Sequence, residues 1–300
     1  MYEPQSFHVG AVYDKNFDNP SQHNYPIGKE LVLDLDISDY DMIRTCKCSM
    51  DEYCSMCWTF MEVAVCSLES LFQSAYGWTK WQWFYSGMKG LHCWIREPEV
   101  ILMESRHRIY NIDFLSKPPM KTELPLKHIK HPVEDVYYDI LKPMFRSFLL
   151  ESFDLYSNPI ACMYCAQYFS GSDIFTSKLN GETSLEYFER FKEALESKFG
   201  KKEAEMHEWA IIFKMLYPRL DYNVSRNSQH LIRCPLSIHH KSGNLVLPLT
   251  RFSYLDVTEE IQKTNLYSIL PSTLDDHVRI LDSNIRDSKL LPQARPENRE

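Results

Sequence analysis

The sequence predicts an α+β fold, a mixed β-sheet with flanking helices and a helical subdomain inserted between its strands. Three observations carry this. Short strand patterns occur near 30–36 and 81–95, apolar residues shift to helical spacing from about 112 to 214, and strand patterns return after 215. The expected division is a discontinuous sheet domain, 1–112 and 215–290, an inserted helical subdomain, 113–214, and a loose tail, 291–300.

The first firm element is Glu30-Leu-Val-Leu-Asp-Leu-Asp36, whose alternation places Leu31, Leu33 and Leu35 on one face and Asp34 and Asp36 on the other. A polar, cysteine-bearing loop follows at 44–57. Trp58, Met61, Val65, Leu68 and Phe72 then recur at the three-four spacing of a helix packed on a core, predicted over 58–75. Residues 81–85 and 91–95 read as aromatic-rich strands joined by Ser86-Gly-Met-Lys-Gly90, a hairpin signal.

Pro118-Pro119 breaks the chain, and helical spacing resumes through 133–152 and 184–199. The second of these stretches opens with Thr183 and Glu186 in capping-box register and stops at Gly200. Strands are predicted at Tyr217–Val224, His230–Arg233 and Leu245–Leu249, with a turn at Lys241–Asn244 between the last two.

Composition narrows the function classes. At 300 residues and 44% hydrophobic content the chain can bury a large core. No apolar run reaches the length of a membrane span, and residues 1–20 lack the blocks of a signal peptide, so a soluble intracellular protein is expected. A formal charge of −8 argues against holding nucleic acid by bulk electrostatics, because sequence-independent affinity comes from many Lys and Arg contacts to phosphate. Nine cysteines in such a chain favour reduced thiols or metal ligands over a disulfide framework.

Four constellations carry chemistry. Asp34 and Asp36, two residues apart on one strand and roughly 7 Å from each other, point the same way and can converge on hard, oxygen-binding cations; taken alone they are equally an acidic strand face. Cys46, Cys48, Cys54 and Cys57 supply four soft ligands to tetrahedral zinc, in a structural role because no open coordination position remains. Cys162 and Cys165 share the two-residue spacing but sit in an apolar helical stretch, where core packing is expected.

In the hairpin Ser86-Gly-Met-Lys-Gly-Leu-His92, glycines let backbone amides approach a phosphate, while Ser86, Lys89 and His92 add a hydroxyl, a cation and an imidazole. In Tyr217–Arg226 and His230–His239, Asp221 offers a third carboxylate, and Arg219, Arg233 and His239 offer charge that offsets a triphosphate. Singly, the hairpin and the charged strand are ordinary; together the four describe a metal-dependent nucleotidyl transferase.

In their order, Gly10-Ala-Val-Tyr13, Glu30–Asp36, the four-cysteine loop, Ser86-Gly-x-x-Gly-x-His92-Cys-Trp94 and Tyr217-Pro-Arg-Leu-Asp221 to His239 resemble the small, catalytic subunit of eukaryotic-type DNA primases, in the archaeo-eukaryotic primase superfamily. The likeness runs from about residue 7 to 249 and is thin through the helical lobe. It implies a primase-polymerase catalytic core in which Asp34, Asp36 and Asp221 bind catalytic Mg²⁺ or Mn²⁺. Ser86, Lys89, His92, Arg233 and His239 would hold the incoming nucleotide's triphosphate, and Cys46, Cys48, Cys54 and Cys57 would hold structural Zn²⁺.

Some positions depart from the pattern. Lys47 separates two cysteines that are often adjacent in relatives, Met88 stands where relatives commonly have Arg, and His8 stands where many have Asp. Relatives also carry a further N-terminal segment lending an Arg and a Glu to the active site, so the 300-residue chain by itself is expected to prime weakly.

The resemblance implies RNA primer synthesis on a single-stranded DNA template from ribonucleoside triphosphates. Its implied partners are the primase large subunit and the DNA polymerase α complex, in the nucleus. Alternatives are a primase-like repair or translesion polymerase and a catalytically silent assembly subunit; three retained aspartates tell against the latter.

Overall fold

A computed structural model of the chain describes residues 6–13, 26–46, 48, 53–117, 131–169 and 174–249. Lys47, the Pro118-Pro119 break and everything after 249, including the expected tail, lie outside the described residues.

The central sheet is built on β4 (Leu31–Asp36), after three short strands, β1 (His8–Val9), β2 (Val12–Tyr13) and β3 (Pro26–Gly28). Helix α1 (Ser55–Leu71) leads through a π-helical turn into β5 (Trp81–Tyr85) and β6 (Gly90–Ile95), the predicted hairpin. With β8 (Leu247–Pro248) these make a four-stranded sheet in the order β4-β6-β5-β8. Every pairing in it is antiparallel, where the sequence reading expects a mixed sheet. The hairpin sets β5 against β6, and α1 returns the chain so that β6 runs against β4.

The alternation in β4 is realised as predicted. Leu31, Leu33 and Leu35 are fully buried against α1, whose Phe60, Met61, Ala64 and Leu68 join the same cluster. Each such leucine contributes about 2 kcal/mol of apolar burial. The opposite face carries Val32, Phe84 and Trp94 at one end, packed with Val224, Ile232 and Val246 in a second, much smaller cluster. Farther along that face the residues turn polar: Asp34 lies across from His92 and Asp36 across from Gly90.

Gly90 has no substitute at this crossing, since a Cβ there would lie 2.2 Å from the Leu35 carbonyl oxygen. Gly87, at φ +94°, is equally constrained: its Cβ would lie 2.7 Å from that of His239.

Short helices α2 (Pro98–Ile101) and α3 (Ser105–Ser116) follow the sheet. Next comes a nearly continuous helical run through 132–152, in which α4 (Pro132–Asp135) and α5 (Lys142–Met144) alternate with π-helical stretches Val136–Leu141 and Phe145–Ser152. Pro143, which lacks an amide proton, sits between the two π stretches, where the regular hydrogen-bond ladder is interrupted.

Helix α6 (Pro159–Ala166) buries Cys162 and Cys165, as expected of core cysteines. Helix α7 (Ser184–Phe199) starts in a full capping box between Thr183 and Glu186 and ends at Gly200, and α8 (Lys201–Leu216) packs against it. The main hydrophobic cluster continues from the sheet through Phe145, Phe188 and Trp209 of these helices.

One prediction fails. Residues 217–224 are not a strand: α8 runs to Leu216, a single bridge joins Leu220 to Leu35, and α9 (Tyr222–Arg226) begins directly after Asp221. The alternating pattern misleads because Asp221 is a helix N-cap, its carboxylate accepting the Asn223 amide at 2.8 Å. Strand structure resumes in β7 (Ile232–Arg233), which pairs with β1, and the turn after His239 lies between bridged Ile238 and Leu245.

Candidate active site

Asp34 and Asp36 project from the end of β4, and the chain brings Asp221 beside them through its backbone. The Asp221 amide donates to the Asp34 carbonyl at 3.0 Å, and Leu220 bridges Leu35. Tyr40 sets the approach of this segment. It is fully buried, stacks on Phe60 at 4.7 Å, accepts the Arg219 amide at 3.2 Å and carries the Arg219 guanidinium over its ring at 4.6 Å.

A cavity of about 530 Å³ opens here, lined by Asp34, Asp36, Asp39, Arg219, Leu220, Asp221 and Tyr222. The acids crowd one another. Burial, and then the charges of Asp36, Asp221 and Asp39, push Asp34 up to about 7, and burial with Asp36 also raises Asp39. Asp36 accepts from the Ser38 amide at 2.8 Å and its hydroxyl at 2.6 Å, which fixes the carboxylate at the start of a 3₁₀ turn over Ile37–Tyr40.

Of the phosphate-binding candidates, Lys89 faces the acids, its ammonium 3.4 Å from Asp36 and 2.9 Å from the Ser38 hydroxyl. The Ser86 hydroxyl closes the hairpin by accepting the Gly90 amide at 3.1 Å. His92 stands at the boundary, its Nε2 3.6 Å from Asp34 Oδ1 and its Nδ1 buried with no hydrogen-bond partner among the described residues. Burial, then Arg233 and His239, holds it down at about 4, so the ring is neutral at neutral pH.

His239 is held at about 4 by burial and by Arg233, His240 and Lys241. Its Nδ1 accepts the Lys241 and Ser242 amides, both at 3.3 Å. Arg233 donates to the Ser6 hydroxyl at 3.2 Å and the Ile238 carbonyl at 3.3 Å. Basic groups thus gather near the acids around His92, with cations that disfavour protonation of two imidazoles, a field that favours an anion.

The sequence reading did not single out Asp39 and Ser38 as site residues. Both belong to the 3₁₀ turn that follows β4, and the acidic string Asp34 to Asp41 was their only signal. Arg219 lines the cavity, but its guanidinium is engaged by the Asp39 carbonyl and, at 3.0 Å, by that of Lys214.

A second centre lies at the start of α1. Cys46, Cys48, Cys54 and Cys57 present their sulfurs within 4.8 Å of one another, close enough to share one metal ion. Cys54 is the N-cap of α1 and Cys57 lies in its first turn, so the end of the predicted loop, from Ser55, is helix. Arg44 donates to Cys57 Sγ at 3.2 Å, pairs with Asp41 at 2.7 Å and lies over the Tyr53 ring. Between this centre and the hairpin is a cavity of about 550 Å³, lined by Tyr53, Trp58, Tyr85, Met88, Lys241, Ser242 and Asn244.

Residues 33–251 match the DNA primase small subunit family. The chain belongs to that family. It is 25% identical to the DNA primase small subunit of Saccharomyces cerevisiae, over 89% of this chain and 72% of that protein. Against the small subunits of Schizosaccharomyces pombe and Drosophila melanogaster it is 27% identical, over 94% and 75% of this chain. Those two alignments span 64% and 56% of the respective relatives, less than two thirds of either. As in the sequence reading, no helix among the described residues is long and apolar enough to cross a membrane.

The crowding of acids in this family member has a measurable consequence. Asp34 ionises near 7 in the fold and near 4 when unfolded, so the native state binds the extra proton between those values. Without divalent cations, the contribution of Asp34 to stability then falls as pH rises from about 4 to 7, while those of His92 and His239, both held low, rise; the comparison with Asp34→Asn isolates the first. Asp34→Asn should be more stable than the parent by about 2 kcal/mol at pH 8, with a smaller difference at pH 5, in urea unfolding without added Mg²⁺ or Mn²⁺. A difference independent of pH would contradict the crowding.

Proposed function

We propose that the chain is the catalytic subunit of a DNA primase, adding ribonucleotides to a primer on a single-stranded DNA template. The observation that carries this reading is the joining of Asp221 to Asp34 and Asp36 by the Asp221–Asp34 backbone hydrogen bond, with His92 across from Asp34 and Arg233 and His239 near enough to act on His92. The fold is read as a primase-polymerase core made discontinuous by the helices of 113–214, as the sequence division expects.

The three carboxylates suit hard cations. They offer only oxygen donors, and Asp34 is raised by burial and then by the unrelieved charges of Asp36, Asp221 and Asp39, which a bound cation would offset. Mg²⁺ or Mn²⁺ held by Asp34, Asp36 and Asp221 would supply Lewis-acid activation of the primer 3′-hydroxyl and stabilisation of the pyrophosphate leaving group.

The chain's own side chains would do the rest. Arg233 places a fixed cation and His92 and His239 two imidazoles where the triphosphate's anionic oxygens gather, offsetting charge that grows in the transition state. Ser86 and the hairpin glycines allow close backbone approach, and Lys89 offsets Asp36 and reaches toward the leaving group. The template directs nucleotide choice by base pairing. A net charge of −8 supports dependence on a partner for template grip, read here as the primase large subunit within the polymerase α complex in the nucleus.

The four cysteines suit zinc. Tetrahedral ligation at about 2.3 Å implies sulfur separations of about 3.8 Å, and Cys54–Cys57 stand at 3.7 Å and Cys46–Cys57 at 3.3 Å. A fully protein-ligated ion would tie the 44–57 loop to the start of α1 and take no part in the chemistry.

Three outcomes are expected. In a complex reconstituted with the large subunit, Asp34→Asn, Asp36→Asn and Asp221→Asn should each lower nucleotide addition by about a thousandfold or more while complex formation is unchanged; near-normal synthesis by Asp36→Asn would sink the reading. His92→Ala should mainly raise KM, as a contact made in ground and transition states does. Elemental analysis should find one zinc per chain, lost when Cys54 and Cys57 are both changed to Ser; zinc retained in that variant would place the site elsewhere.

A further inference from the structure

Lys29 and Arg108 are almost completely buried, at 5% and 2% exposure. Neither forms an ion pair among the described residues. Arg108 reaches from α3 to donate to the Lys29 carbonyl at 2.7 Å and the Glu30 carbonyl at 3.1 Å, fixing the two residues that precede β4. Lys29 in turn donates its ammonium to the carbonyls of His230 and, at 3.4 Å, Asn227. Burial and the adjacent Arg108 hold this ammonium down at about 8. Burying a cation against carbonyl dipoles, with no ion pair and only the more distant Glu30 charge in its favour, costs free energy that an apolar side chain of the same length would not. Stability therefore does not account for Lys29.

What Lys29 grips is the connection between Asp221 at the N-cap of α9 and Arg233 in β7. Its first part, α9, packs on α3 and β4, so the stretch that Lys29 holds is the one after it, from 227 to β7. β7 and β1 pair over two residues each, and Ile232 packs into a cluster of only six buried side chains. The other end of the clip is the entry to β4, three residues after which Asp34 emerges opposite His92.

We propose that Lys29, backed by Arg108, is a positioning residue for nucleotide binding: it clips the 227–230 connection to the start of β4 and so holds Arg233 in register with His92. This rests on the nucleotide-site reading above. Lys29 contacts no substrate in this account and acts through Arg233.

The test is a double-mutant cycle on the full chain, with ATP and inorganic tripolyphosphate as probes in binding titrations and circular dichroism as the check on folding. Lys29→Met should weaken both probes about tenfold, and Lys29→Arg should recover most of the loss. In an Arg233→Ala background Lys29→Met should add nothing further, whereas a merely structural lysine would weaken binding by the same factor in both backgrounds. If Lys29→Met does not fold, Lys29→Gln, neutral and too short to span to His230, replaces it in the same cycle. A folded neutral variant that binds both probes like the parent, or losses that multiply with Arg233→Ala, would overturn the inference alone. A parent protein that binds neither probe would overturn the nucleotide-site reading, and this inference with it.

Discussion

The site depends on one backbone hydrogen bond, from the Asp221 amide to the Asp34 carbonyl. Two carboxylates on a strand are a common surface feature. A third, delivered from residues 187 positions away in sequence by main-chain pairing to that same strand, makes a cluster whose members cannot all shed their repulsion by moving. The strand cannot yield because Leu31, Leu33 and Leu35 anchor its other face in the main core. The incoming segment cannot yield because Tyr40, itself stacked on Phe60, holds Arg219 by amide and guanidinium.

That rigidity explains the charge pattern. Acids and bases meet at His92, whose Nε2 lies 3.6 Å from Asp34 Oδ1 and whose ring also feels Arg233 and His239. Burial keeps the imidazoles neutral and Asp34 high, so the resting site holds less charge of either sign than its residues suggest. Ligands of both signs, cations at the carboxylates and a polyphosphate at the bases, would each restore the charged forms of their own half and attract the other across a few ångströms. Such a site is suited to taking up metal and nucleotide together.

Much of this is legible in the sequence wherever pattern and structure share a period. The Leu31/Leu33/Leu35 alternation, the 81–95 hairpin, the Thr183–Glu186 capping box and the buried Cys162 and Cys165 follow from local rules, and each appears in the fold. The Tyr217–Asp221 stretch does not, because an N-cap aspartate after a helix terminus leaves the same alternation as a strand. Membership of the primase small-subunit family rests on the match over residues 33–251. Asp39 and Ser38 have no signal beyond the acidic residues after β4, and the buried Lys29 has none, because its partners Asn227 and His230 lie about two hundred positions away.

The central claim is that three aspartates form a divalent-cation site, and direct Mn²⁺ binding tests it without requiring partner, template or catalysis. Electron paramagnetic resonance of Mn²⁺ titrated into the zinc-loaded chain with ATP should show bound ion that Mg²⁺ displaces, weakened at least tenfold by Asp221→Asn as much as by Asp36→Asn. Equal Mn²⁺ binding by the parent and by a variant with all three aspartates changed to Asn would contradict the account.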